Sequence, residues 1–285
     1  MENRRSIRTF QKRLLNDQAI DIIEQETERL AAATGPFGHR VRPVLTFLEK
    51  GRSEKGMRIG TYGVIHHPQA FLGAVVVNTP EGVMDLGYLF EQTMLALTSH
   101  GLGTCWLGGL FNRKLFSELA DAGKEEIIPA VTPLGYPADK QDLPDRLMRR
   151  LSKSDQRKPF DQLVFVGSFS RPLSPEKAGI WADPLRMVRL GPSASNHQPW
   201  RILLDADGSR AHLYLRLTPG YSGNKLGFEL QRVDAGIAMA HLELAFREDG
   251  IEGSWVFSDP GKGVLDENTA YVGTFVLPDE NGANH

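Results

Sequence analysis

Residues 4–8 read RRSIR and gather several cations and a hydroxyl into five positions. Arg4, Arg5 and Arg8 with Ser6 suit a phosphate, or a ring carbonyl that becomes anionic on reduction, since guanidinium and hydroxyl groups donate to both. Arg157-Lys158, just before Pro159, offers two further phosphate partners. Residues 101–109, GLGTCWLGG, expose backbone around Trp106 and Leu107 with little side chain in the way, so a flat ring can come close. Residues 191–200, GPSASNHQPW, make a poor helix and a poor central strand. Pro192 and Pro199 lack backbone donors, while Ser193, Ser195 and Asn196 bond locally. A planar heteroaromatic rimmed with donors and acceptors would use such groups, and a flavin is one.

Each segment also has a plainer reading. An Arg-rich N-terminus is ordinarily a solvated tail, and GLGTCWLGG read alone is a helix C-cap and a turn. The glycine run fails as a dinucleotide fingerprint, because its sixth position is Trp106, and it lacks the Lys-Ser/Thr of a phosphate-binding loop. Cys105 reads as a small buried filler. His66-His67 has no Cys or carboxylate at zinc-like spacing and reads as a structural pair. His197 reads as idle, Trp200 as a core filler, and Asp234 with His241 as a buried polar contact on one helix face. The charge run 146–158 reads as a solvated face apart from its last residues.

The elements that must position these groups alternate in type. Residues 16–33 space Ile20, Ile23 and Leu30 at helical intervals behind a capping Asn16 or Asp17. Residues 70–78 form a short β-branched run closed by Asn-Thr-Pro, a buried strand. Residues 84–100 are apolar almost all round, which predicts a central buried helix. Residues 127–134 read as a strand and 138–158 as an exposed polar connection. Residues 201–205 and 212–217 read as a hairpin-like pair, 231–248 as a second largely apolar helix, and 269–277 as the last strand.

With 285 residues, 41% hydrophobic and 24% charged, the chain can bury a sizeable core in one large or two ordinary domains. A net charge of −2 gives no reason to expect a nucleic-acid or acidic-membrane partner. One cysteine fits a reducing compartment, no apolar run is long enough to cross a bilayer, and the first residues lack a signal-peptide core; the expectation is a cytoplasmic protein.

The second half repeats features of the first. HGLGTCW (100–106) and DGIEGSW (249–255) share Gly, a branched apolar residue and Trp at an offset of 149, from Gly101 to Gly250. GPFGHRVRPV (35–44) shadows GPSASNHQPW at an offset of 156, from Gly35 to Gly191. Two matches in one order favour an internal duplication. The copies are unequal, because Phe37, Arg40 and Arg42 stand where Ser193, Asn196 and Gln198 do.

RRSIRTF, GLGTCWLGG, IPAVTPLGYPA, RKP and PSASNHQPW together resemble the FMN-dependent nitroreductase family. The resemblance implies an α+β fold of two related halves, with mixed or antiparallel sheets packed on central helices. In that family two subunits interlock and each flavin lies at their interface. Here the Pro-Ser-x-x-Asn segment follows the second basic cluster, where an ordinary subunit has it soon after Arg-Ser-x-Arg. The order resembles a tandem branch in which one chain imitates both subunits. The halves expected are 1–165, with the phosphate and Gly-rich segments, and 166–285, with Pro192, Ser193, Ala194 and Asn196. By position, the resemblance gives Arg4 and Arg157 to the FMN phosphate, with Lys158 beside them, and Ser6 to the phosphate or ribityl chain. Arg8 falls near the pyrimidine edge, and Ser193, Ala194 and Asn196 line the opposite edge. Backbone N–H groups of Gly108 and Gly109 face N5 and O4. The expected activity is hydride transfer from NADH or NADPH to a small electron-poor acceptor, a nitroaromatic or quinone, by a monomer holding about one FMN. The alternatives are a flavin holder without turnover and a structural relative without flavin.

Overall fold

The computed structural model describes residues 1–49, 52–53, 63–138, 156–221 and 223–278. Most of the 138–158 connection and of the charge run therefore lies outside the described residues. The chain packs as two compact units, Asn3–Asp155 and Gln156–His285, with Met1–Glu2 joined to the second, where Glu2 pairs with Arg186. The sequence places the boundary at 165/166; packing divides the chain ten residues earlier, because Arg157 and Lys158 already bond to residues 190–198 and Val164–Val166 form a strand of the second unit's sheet.

In the N-terminal unit, Asn16 caps α1 (Asp17–Ala32) through its side chain and the Ala19 N–H. Strand β1 (Arg42–Glu49) pairs with the two-residue β2 (Arg52–Ser53) and with β3 (Ala70–Val77), both antiparallel. β3 is buried along nearly its whole length, as its unbroken apolar run requires. Next comes α2 (Pro80–Ser99), which starts four residues before the expected 84 because Thr79 caps it and Pro80 sits in its first turn. It is buried on nearly every side and packs on α1 and β3. After α3 (Arg113–Leu119), the strand expected over 127–134 is split into β4 (Glu126–Ile127) and β5 (Val131–Leu134), both antiparallel to β3. Pro129, which lacks a ladder donor, lies in the gap.

In the C-terminal unit, β6 (Val164–Val166) runs parallel to β8 (Trp200–Leu204), and β7 (Ser168–Pro172) pairs antiparallel with β6. The hairpin of β8 and β9 (Arg210–Arg216) turns at residues 206–208, with Gly208 at a φ of 75°. Strand β11 (Thr269–Val276) pairs with β9, and β10 (Ser254–Val256) closes the edge, giving the order β10-β11-β9-β8-β6-β7. Helix α4 (Ala182–Leu190) leads into the 191–200 segment, and a single turn, α5 (Gly223–Leu226), precedes α6 (Gln231–Glu248). Like α2, α6 is buried almost all round; it packs on α4, β8 and β9. Antiparallel sheets with one parallel pair, each beside a buried helix, make this an α+β fold.

The two units run through the same steps. Each has a helix, a Gly-Pro loop, an antiparallel strand pair (β1–β3, β8–β9), a buried helix (α2, α6) and a Trp-bearing segment on the last strand. In the N-terminal unit that segment bridges Gly103 to Gly135 and Leu107 to Val131; in the other it is β10 on β11. A buried aspartate near the start of each long helix accepts from the preceding Gly-Pro loop. Asp85 takes Phe37 N at 2.9 Å and His39 N at 2.9 Å, and Asp234 takes Ala194 N at 2.9 Å. These aspartates are also 149 positions apart.

Candidate functional site

The N-terminal unit brings RRSIR and the Gly-rich turn together through backbone pairing. Ser6 bridges Thr104 in parallel, and Ile7 N donates to Thr104 O at 2.8 Å. Gly103 permits this approach, because a Cβ there would lie 2.9 Å from Ile7 Cγ2. Arg4 turns inward, with Nε 3.8 Å from the buried carboxylate of Glu91 on α2. Trp106 Nε1 donates to the same carboxylate at 2.7 Å, and its ring meets Phe90 edge-on. Arg4 Nη1 is buried and finds no acceptor among the described residues, a donor aimed at something the chain does not supply. Arg5 is exposed, while Ser6 and Arg8 are half-buried. Cys105 is buried and donates its N–H to Thr132 Oγ1, the setting of a core filler. Glu91 did not stand out in the sequence; a carboxylate inside an otherwise apolar helix face is the signal that marks it.

The C-terminal unit brings Arg157-Lys158 against 191–200. Arg157 Nη1 donates to Asn196 Oδ1 at 3.2 Å and Nη2 to Leu190 O at 3.1 Å. Lys158 Nζ donates to His197 O at 2.6 Å and its N–H to Gln198 Oε1 at 2.8 Å. Asn196 Nδ2 and Gln198 Nε2 both donate to Gln156 O, and Ser193 Oγ accepts from Gln198 N. Gln198 is thus the organiser of the loop; the sequence marks it only as a difference between the two copies, opposite Arg42, and not as a site residue. Ser195, Asn196 and Gln198 have φ values of 48°, 56° and 45°, in the left-handed region that non-glycine residues rarely adopt. Each costs on the order of 1–3 kcal/mol, and such residues cluster at ligand-binding and switch sites. Ser195 Oγ lies 2.7 Å from Tyr221 OH, and His197 Nδ1 lies 3.2 Å from Thr218 Oγ1.

Burial dominates the electrostatics around this loop. Lys158 is pushed down to about 8, chiefly by burial and then by Arg201 and Arg216. Burial likewise lowers Arg201 to about 10, with Arg216 adding to the effect. Burial also lowers His197, with Lys158 adding to it, and raises Tyr221. Asp234 is fully enclosed and held well above the usual carboxylate range. The polar contact expected between Asp234 and His241 is not made; Asp234 serves Ala194 N, while His241 Nδ1 lies 2.9 Å from Met187 O. The constant offset to Asp85 would have revealed that role.

The counterpart loop in the N-terminal unit is satisfied internally. Asp85 holds it through three contacts, including His39 Nδ1 at 3.0 Å, and Arg40 Nε donates to Thr34 Oγ1 at 3.3 Å. The residues that fit FMN are the orphaned Arg4 donor, the open backbone at Gly109, where a Cβ would touch nothing within 4 Å, and the strained amide-bearing loop. Within the N-terminal unit Arg4 offers an anion partner and Gly109 room for a ring; within the C-terminal unit the loop offers ring-edge donors and acceptors.

Fold and motifs define a nitroreductase-type α+β protein, an oxidoreductase class. The chain belongs to the family described as "Putative TM nitroreductase", whose model matches residues 1–246. It is similar over 97% of its length to a solved structure from Thermotoga maritima described as a "putative nitroreductase", with 20% identity, 90% of that chain covered and a TM-score of 0.58. A nitroreductase family protein from Clostridium difficile aligns with 52% of this chain and 88% of its own, at 17% identity and a TM-score of 0.38. A structure described as an oxidoreductase containing FMN aligns with 52% of this chain and 80% of its own, at 17% identity and a TM-score of 0.40. No curated protein matches the sequence. Among the described residues no helix is long and apolar enough to cross a membrane.

Proposed function

We propose that this protein is an FMN-dependent oxidoreductase, a monomer in which a duplicated chain supplies both halves of a nitroreductase and holds about one FMN. Bound FMN would supply the redox chemistry, accepting hydride at N5 from NADH or NADPH and passing it to a small electron-poor acceptor such as a nitroaromatic or quinone. The observation that carries this reading is the Ser6–Thr104 pairing, which sets a buried, unsatisfied Arg4 donor beside the Gly-rich turn.

The chain's own residues then have definite tasks. Arg4 and Arg157 neutralise the phosphate, with Arg5 and Lys158 adding to the positive field, and Ser6 donates to the phosphate or ribityl chain. Arg8 stabilises negative charge at the pyrimidine edge, which raises the reduction potential. Trp106 and Leu107 back the turn whose glycine N–H groups face the ring. Pro192, Ser193, Ala194 and Asn196 close the other edge. A single buried cysteine suits work in the cytoplasm.

Steady-state oxidation of NADH and NADPH with menadione or a nitroaromatic tests the reading. Turnover by flavin-loaded protein is expected. Loaded protein that leaves both reductants unoxidised would reduce it to a flavin holder.

A further inference from the structure

Two peptide planes decide where the N–H groups of the Gly-rich turn point. Leu107 O accepts from Val131 N at 3.0 Å, and Leu107 N donates back to Val131 O at 2.9 Å. A trans peptide sends its carbonyl and its N–H in opposite directions, so Gly108 N–H points away from β5. The next plane is fixed from outside the strand. Arg113 Nη2 donates to Gly108 O at 2.6 Å, which turns Gly109 N–H the other way. Neither N–H meets an acceptor among the described residues.

Arg113 is itself firmly held. Its Nε donates to Ile128 O at 3.0 Å and Nη2 also reaches Pro129 O at 3.2 Å, while the guanidinium lies 4.6 Å from the Phe111 ring centre. Asn112 caps the helix that Arg113 begins, through its side chain and Leu115 N, so the backbone beneath the guanidinium is also fixed. Burial pushes the Arg113 guanidinium down from its usual range, and it stays charged at neutral pH. Gly109 needs no special φ and a Cβ there would meet nothing, so protein packing gives no reason for a glycine. The space in front of it is left for a ligand.

We propose that Arg113 is a positioning residue: by pinning the Gly108 carbonyl it aims the Gly109 N–H at N5 of FMN, beside the Gly108 N–H at O4. It touches neither flavin nor substrate. The inference rests on the FMN reading above and adds a residue that motif comparison leaves out, since Arg113 lies beyond GLGTCWLGG.

The test compares FMN with 5-deaza-FMN, in which a C–H replaces the N5 acceptor, by fluorescence titration of protein stripped of flavin. The wild type is expected to bind FMN about tenfold more tightly than the deaza analogue, the scale of one oriented hydrogen bond. Arg113→Met should bring the two affinities within about twofold, and Arg113→Lys, which reaches one carbonyl but not three, should fall between. A purely structural role would weaken both ligands alike, so an unchanged ratio in the variants would overturn the proposal while leaving the FMN reading intact. A wild-type ratio near one would overturn it as well. Wild type that binds neither ligand would defeat the FMN reading and this inference together. Arg113→Lys keeps the comparison decisive should the methionine variant not fold.

Discussion

Raising the pH from 7 to 10 should make the flavin-free protein harder to unfold in urea, and Lys158→Met should remove that gain. The Lys158 ammonium sits among His197 O, Gln198 O, Arg201 and Arg216, and burial with those two cations brings it from an ordinary 10.5 to about 8. The folded state therefore releases this proton first. Between about 8 and 10.5 the unfolded chain holds more protons, so stability rises with pH through that window and is flat below it. The gap between 10.5 and about 8, at about 1.4 kcal/mol per pH unit, sets a ceiling of roughly 3 kcal/mol. Partial solvation of the side chain reduces the expected gain to about 1–2 kcal/mol. Urea midpoints read by tryptophan fluorescence at pH 7, 8, 9 and 10 give the comparison directly. The difference between wild type and Lys158→Met should widen in favour of the wild type above pH 8. A phosphate beside Lys158 would hold it charged, so FMN affinity should fall above pH 8 by up to about tenfold per pH unit. Parallel pH curves for the two proteins would refute the buried-cation argument.

Asn196→Gly keeps the left-handed backbone but deletes the amide, and should weaken FMN about tenfold in a fluorescence titration, whereas Arg40→Ala should leave binding unchanged. Equal losses would contradict a single functional loop. Asp85→Ala removes the buried acceptor of the Phe37 and His39 N–H groups in the half-buried loop and should cost about 2–4 kcal/mol in urea unfolding. Gly35→Ala should be destabilising for a related reason, because a Cβ there would lie 2.3 Å from the Asp85 carboxyl; a neutral effect would mean the loop is not held as described.

The elements with an unambiguous period could be read from sequence: the helices over 17–32 and 231–248 and the buried strand 70–77 agree with the pattern within a residue or two. What escaped had weak or conflicting signals. β1 begins at Arg42-Pro43 and carries polar residues among its apolar ones, so no clear period marks it. Strands β6 and β10 are three residues long, too short for alternation to register. In α4, Pro184 interrupts the helical pattern. Within the candidate site, motif residues could be read by type and order, but the roles of the residues that hold them could not. Glu91, Gln198, Asp234 and Arg113 act across 15, 40, 40 and 5 positions respectively, through contacts with Trp106, Lys158, Ala194 and Gly108 that only the folded chain creates.

The most direct test of the central claim is the visible spectrum of the purified protein, followed by release and quantification of its flavin. The account predicts a flavin spectrum and about one FMN per chain, either as purified or after reconstitution. Two per chain would mean that the loop at 35–44 also builds a working site. None, even with FMN added, would contradict the cofactor assignment and leave the nitroreductase fold without its chemistry.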